Sequence, residues 1–329
     1  MCIRDRVRNE ELLKRPVTSV TSALEGSTPG ITVTGNYGSP GSDPTVLIRG
    51  IGTVNGSTSP LYVIDGVPYG GNISDLNMED IETMSILKDA ASAALYGNRA
   101  SNGVILITTK KSKSERIQFN FKTNQGWYER ALPEYERTNP FQFMEVEYQN
   151  AANAFVHGGG DRTDKQAILN AVNSTLIPDR LYVNIFNKPD DQLFTLDGKM
   201  AADASIIDGY AGDLDWFDQA TRKGYRSEYQ FSGSGATSKS DYYFSLSYLD
   251  ENGYMKDSGF DRLTGRMAVN IKPVKWLRAG MSINASHQKF QNTSNGVGDG
   301  SSSYSNPFYF CRYMAPIYPC LLYTSPSPR

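Results

Sequence analysis

The sequence predicts a small α+β unit followed by a region of antiparallel strands. Two observations predict it. Between Thr45 and Lys110, short β-branched and apolar runs alternate with turn and helix signals, in a stretch compact enough for one small mixed sheet with short helices. From Ile117, and again from Tyr225, apolar and polar residues alternate with a period of two, the mark of strands with one apolar and one polar face.

The first residues past the N-terminus, Val17 to Leu24, suit one or two amphipathic turns. Gly26 to Thr34 reads as a turn leading into a strand, and Gly35 to Pro44 as a loop rich in Gly, Ser, Asn and Pro. Leu61 to Ile64 is a strand ended by the turn Asp65-Gly66. Asn77 can cap a helical turn at Met78 to Glu82, and Thr83 to Lys88 is a second strand. Asp89 is placed to cap a helix of good formers, Ala90 to Tyr96, with Gly97 where a glycine would stop it. Gly103 to Thr109 is a β-branched strand. Lys111 to Ser114 is a short charged linker.

Beyond it, Ile117, Phe119 and Phe121 alternate with Gln118, Asn120 and Lys122. Residues 128–224 break the alternation. Phe141, Met144, Tyr148 and Ala151 have helical spacing within Phe141 to His157, and a second helix is expected from Asp164 to Val172. This region holds 16 Asp and Glu against 9 Lys and Arg, and 12 aromatic residues, and is expected to be a partly folded, surface-exposed insertion. Four alternating segments follow. They are centred on Tyr229, Phe244, Met267 and Met281, with short turns and longer loops between them in alternation. Such a pattern suits a membrane barrel, lipid outside and polar lumen inside, and equally a soluble antiparallel sandwich.

Composition narrows the function classes. The chain has 329 residues, a formal net charge of −2 and no basic stripe, so no nucleic-acid partner is expected. The longest aliphatic runs fall far short of the ~20 apolar residues of a membrane-crossing helix, which leaves barrels open. The 20 tyrosines and 30 glycines suit β structure with many turns, and aromatic girdles. Gly50 to Gly56 lacks the spacing of a dinucleotide loop, and His157 and His287 lie apart from any carboxylate or cysteine cluster. No catalytic residue, metal or cofactor is expected. Met1-Cys2-Ile3-Arg4-Asp5-Arg6 is what a sequencing-library transposon end encodes, and Cys320 to Arg329 matches its reverse complement read on into the adapter. Both ends are therefore set aside from the fold, and the natural protein is expected to run on past each.

Ile48-Arg49-Gly50, Pro60 to Pro68 and Asp80 to Lys110 together resemble the plug domain of TonB-dependent outer-membrane transporters, and most of all the SusC/RagA branch, which imports glycans or peptides. Departures are few: Thr83-Met84-Ser85 stands for the family's Ser-Ile-Glu, Asn98 for Ser and Ser101 for Ala. The resemblance implies a plug over residues 7–110. It implies the first five or so strands of a large transmembrane β-barrel over residues 111–319, with the insertion at about 128–224. Such barrels have about 22 strands. It implies a location in the outer membrane of a Gram-negative cell. It implies active import of a nutrient, with TonB, powered through ExbB and ExbD, pulling from the N-terminal side, and a SusD-like lipoprotein as lid. A receptor or signal transducer of the same architecture is the alternative. The plug charges Arg49, Asp65, Glu82, Lys88 and Arg99 are candidates for gating contacts with lumen-facing Arg226, Glu228, Arg262, Arg266 or Arg278, while Asp89 reads rather as a helix cap. Trp216 and Phe217 in the insertion are candidates for stacking on a sugar substrate.

Overall fold

The computed structural model describes residues 4–320 apart from 15–16, 18, 35–39, 53–56, 89–93, 113, 130–134, 211 and 292–306. The chain forms two units, Met1–Glu129 with Lys223–Thr293, and Arg130–Arg222 with Ser294–Arg329.

The first unit opens with a mixed sheet in the order β1 (Arg4–Arg8), β6 (Ile81–Leu87), β7 (Val104–Thr109), β4 (Leu61–Ile64), β5 (Val67–Tyr69). β4 and β7 run parallel, with Leu61 opposite Val104, and the other neighbours are antiparallel. The near-continuous apolar composition of β6 and β7 follows from burial: Ile81, Met84, Ile86, Ile105 and Ile107 sit in one core with Leu12, Leu24 and Ile73. β2 (Ile31–Thr34) and β3 (Thr45–Ile48) make a separate hairpin whose Val46 and Ile48 join the same core. The expected turn Asp65-Gly66 joins β4 to β5 with positive φ at both residues, 49° and 92°, as a two-residue hairpin of this hand requires. β5 itself was hidden in the sequence. It is three residues long and contains Pro68, which an edge strand tolerates because one side of it needs no N–H donors.

Asn77 caps as expected, its side chain accepting from Glu79 N–H at 3.0 Å, but the turn it opens is a 3₁₀ turn of three residues, Met78–Asp80. Of the expected helix Ala90 to Tyr96, most lies outside the described residues. Its end is a 3₁₀ segment, Ala94–Ala100, interrupted at Gly97 with φ 66°. Asp89 also lies outside the described residues. β1 includes Arg4 to Arg6, which the sequence reading sets aside, because strand pairing is made by backbone groups that every side chain leaves in place.

The second sheet is an all-antiparallel meander of β8 (Gln118–Tyr128), β9 (Gly224–Ala236), β10 (Ser240–Asn252), β11 (Gly259–Val274) and β12 (Leu277–Gln291). These are the five alternating segments of the sequence, each longer than its apolar run. β9–β10 and β11–β12 are joined by tight turns, 237–239 and Lys275-Trp276, and β10–β11 by the longer loop 253–258. Burial is inside out. On β10 the polar Ser245 and Ser247 are buried and Leu246 and Tyr248 exposed; on β11 Arg262, Thr264 and Arg266 are buried and Leu263, Met267 and Ile271 exposed. Phe119, Phe121, Tyr229, Phe231, Met281 and Ile283 extend the exposed apolar face across all five strands. A water-soluble sandwich buries the opposite face. Among the described residues no helix is long and apolar enough to cross a membrane.

The second unit holds the insertion. It is folded around its own core of Met144, Tyr148, Val172, Leu176, Ile185, Leu193 and Ile317. The expected helices are Pro140–His157, where Asn139 and Gln142 cap reciprocally at 2.8 and 3.0 Å, and Lys165–Thr175, which Asp164 caps by accepting from Ala167 N–H at 2.9 Å. A π-turn, Leu176–Leu181, follows the second helix and ends in Tyr182, at φ 59°.

Candidate functional site

The buried polar face of the meander meets the mixed sheet's loops, and the charges there are met by opposite charges or by neutral polar groups within the first unit. The central one is Asp65. The left-handed turn holds its carboxylate against the end of β7, where Oδ1 accepts from Thr109 N–H at 3.0 Å and Oδ2 from the Thr109 hydroxyl. Arg266 of β11 approaches the same group. Its Nη2 lies 3.4 Å from Asp65 Oδ2 and donates to Thr109 Oγ1, while Nη1 donates to Asn284 of β12 at 3.0 Å. With the Arg266 side chain 3 % exposed and the Asp65 side chain 23 %, this pair is shielded from most solvent screening.

Arg262, two repeats of the strand period before Arg266 on the same face of β11, is 2 % exposed and donates from Nη1 to the carbonyls of Ser74, at 2.7 Å, and Leu76, at 3.4 Å. A charge buried so deeply has to be met by acceptors, and two backbone carbonyls of the mixed-sheet unit meet it. The next loop residues carry on the pattern. Tyr243 of β10 donates to Asp80 Oδ1 at 2.8 Å. Gln288 of β12 donates to Asp75 Oδ1 at 3.1 Å, and Asp75 Oδ2 accepts from Tyr69 at 3.0 Å. Lys122 of β8 pairs with Glu79, which Lys110 also approaches at 3.8 Å. Burial raises the Asp80 carboxyl above its ordinary value of 3.8, against the hydrogen bonds from Ser245 and Tyr243 and the charges of Arg266 and Lys110. Burial and the bond to Asp75 push the Tyr69 phenol up to about 12.

Of the residues singled out in the sequence, Asp65 is brought to Arg266, and Arg262 to backbone carbonyls. Arg226 pairs with Glu228 on its own strand, at 2.8 Å. Lys88 donates to the Pro29 carbonyl inside the mixed-sheet unit, Glu82 is half-buried on β6, and Arg49, at φ 61°, and Arg99 are exposed without a contact to the meander among the described residues. Arg278 is exposed on β12. Asp75, Glu79, Asp80, Thr109 and Tyr243 escaped the sequence reading. The signal for the first three was the crowding of acids around the Asn77 cap, between two strands and ahead of a strand face carrying Arg262 and Arg266.

In the second unit Trp216 does not offer its ring to solvent. It is buried, its indole N–H donates to the Tyr318 carbonyl at 2.8 Å, and Phe310 packs edge-on at 5.0 Å. Asp215 caps the short helix Trp216–Ala220, accepting from the N–H groups of Phe217 and Asp218. Phe217 is half-buried, with the Arg137 guanidinium 5.8 Å above its ring.

Residues 3–104 match the model of the TonB-dependent Receptor Plug Domain. The chain is 31 % identical over 301 residues to the TonB-dependent receptor SusC of Bacteroides thetaiotaomicron, covering 89 % of this chain and 25 % of that protein. It is 29 % identical over 299 residues to the TonB-dependent receptor P39 of Formosa agariphila, covering 90 % of this chain and 24 % of that protein. It therefore spans about a quarter of the length of the curated relatives it matches. Among solved structures, that of the RagAB peptide importer in its closed-closed state superposes with a TM-score of 0.64 at 25 % identity, over 92 % of this chain and 32 % of that one. A plug-type mixed sheet bonded to the polar face of an inside-out meander, and similarity on both sides of that junction, lead to one assignment: the chain belongs to the TonB-dependent receptors, on their SusC/RagA branch.

Proposed function

We propose that this chain is the gate and the first wall strands of an outer-membrane importer, the mixed-sheet unit closing a barrel of which β8 to β12 are a part. The observation that carries the reading is the inverted burial of the meander. An apolar face turned outward suits lipid, and a polar face turned inward bonds a plug. The cargo is a nutrient, a glycan or oligosaccharide or a peptide. No bond is broken, so the protein's own residues serve as a latch: Asp65, Asp75, Glu79 and Asp80 on the plug, and Lys122, Tyr243, Arg262, Arg266 and Gln288 on the wall. TonB, driven through ExbB and ExbD, would supply the pull, and a SusD-like lipoprotein would present the cargo.

The test is uptake by cells of labelled oligosaccharides and labelled peptides through the full-length protein, with and without TonB. Saturable uptake of one class that vanishes without TonB is expected. Uptake indifferent to TonB, or absent for both classes, would overturn the proposal.

A further inference from the structure

The latch segment Met78–Ile81 is joined by side-chain hydrogen bonds to Asn9, the residue after the N-terminal strand. β1 lies at the edge of the mixed sheet and, among the described residues, pairs as a strand with β6, with Val7 opposite Met84 and Arg8 opposite Thr83. An edge strand held on one side is removed by breaking backbone pairs in succession. The residue that follows it, Asn9, is held differently. Its side-chain amide donates to the carbonyls of Ile81, at 2.7 Å, and Met78, at 3.3 Å. The segment between those carbonyls carries Glu79, bonded to Lys122 of β8, and Asp80, bonded to Tyr243 of β10. The Asp80 carbonyl in turn accepts from Lys110 N–H at 2.8 Å, next to Thr109, where Arg266 of β11 is bound. Along the chain Asn9 and Met78 are 69 residues apart, and through space one carboxamide joins them.

We propose that Asn9 is the positioning residue through which tension on the N-terminal strand is delivered to the wall contacts. The inference rests on the import reading above. Once β1 is drawn away, load on the chain passes through the Asn9 amide to Met78–Ile81 and strains the bonds at Lys122, Tyr243 and Arg266 together. Without that amide the load runs along the backbone into the core around Leu12, and the latch segment feels it only after the intervening chain has yielded. The role requires an N–H donor: aspartate has the same size but turns oxygens toward two carbonyl oxygens, whereas glutamine keeps the donor.

The experiment labels a cysteine placed at Ser247, which is buried on the polar face of β10, in the full-length protein with Cys311→Ser. A membrane-impermeant maleimide is applied to cells with and without TonB. In the Asn9 parent, labelling that rises with TonB is expected, and its absence would overturn the import reading itself. Given that rise, Asn9→Ala and Asn9→Asp are expected to cut the TonB-dependent part about tenfold, the effect of one to two ordinary hydrogen bonds, and Asn9→Gln to restore most of it. Unchanged TonB-dependent labelling in Asn9→Ala and Asn9→Asp would overturn the inference while leaving the import reading standing. So would labelling raised in the absence of TonB, which would make Asn9 a brace for the closed plug.

Discussion

Arg266 of β11 and Asp65 of the β4–β5 turn lie 201 residues apart in the chain and 3.4 Å apart in the structure. Their meeting joins plug and wall through Thr109, which both side chains touch. Removing one partner leaves the other facing a site built for charge. Asp65→Ala is expected to weaken the closed plug by about 1–3 kcal/mol, and Arg266→Ala by a similar amount. The double variant should fall short of the sum by about 0.5–3 kcal/mol. Thermal unfolding of the four full-length proteins in detergent checks this cycle, and cells carrying the single variants should admit large antibiotics more readily. A double variant equal to the sum would show the two residues to be independent.

Asp80 sets a pH dependence. Its carboxyl titrates above the ordinary 3.8 in the folded protein because it is buried, so the folded state holds its proton to higher pH than the unfolded state does. The sign follows: with more protons bound in the folded state, this group's contribution to stability falls as pH rises, from near 3.8 up to the raised value. Asp80→Asn keeps an oxygen for Tyr243 and has no proton to lose. Between roughly pH 3.5 and 8, the melting temperature of the variant relative to the parent should therefore climb with pH. A constant difference would remove Asp80 from the titration.

The outward face of the meander should behave as a lipid contact. Leu246→Arg, in the middle of β10, is expected to cost about 2–4 kcal/mol and to reduce insertion of the full-length protein, read as loss of the heat-modifiable band on a gel. Ser238→Arg, in the tight turn outside the strands, should insert normally. Residues 115–310 expressed alone should aggregate, since they expose that face and the unpaired edges of β8 and β12. A cooperative, detergent-independent melt of that segment would count against the reading.

Trp216 is expected to act on folding. Trp216→Ala should destabilise the second unit by about 3–5 kcal/mol, as large-to-small changes in a packed core do, and limited proteolysis should then cut within 135–222. Trp216→Phe keeps the contact with Phe310 but loses the bond to the Tyr318 carbonyl, and should cost less. Equal protease resistance in the parent and Trp216→Ala would return the indole to the list of surface groups.

Much of this architecture was legible without coordinates because it is written in local periods. The dyad of β8 to β12 needs only the alternation of a pleated strand, and the Asp65-Gly66 turn only the tolerance of those two residues for positive φ. Asn77 announced its cap in the same local way. Which face is buried was not legible from alternation, which reads the same for a barrel and a sandwich. The resemblance to a plug broke that tie, and the burial of Arg262, Arg266 and Ser247 carries the inverted pattern into three dimensions.

The partners of individual charges belonged to tertiary structure alone. A carboxylate in a turn looks the same in sequence whether solvent or an arginine lies opposite. Asp65 found Arg266, whereas Arg49 and Arg99, equally prominent in the motif, stayed exposed. Trp216 shows the same divide from the other side. Its type and its place in an acidic insertion suited a sugar platform, but its ring is buried against Phe310 and its N–H bonds a carbonyl 102 residues later. Local sequence determines which elements form and how their faces alternate, because those are set within a few residues. The choice of partner across the plug and the wall is made only when distant segments compete for the same buried space, and there each buried charge must be met by an opposite charge or by enough acceptors.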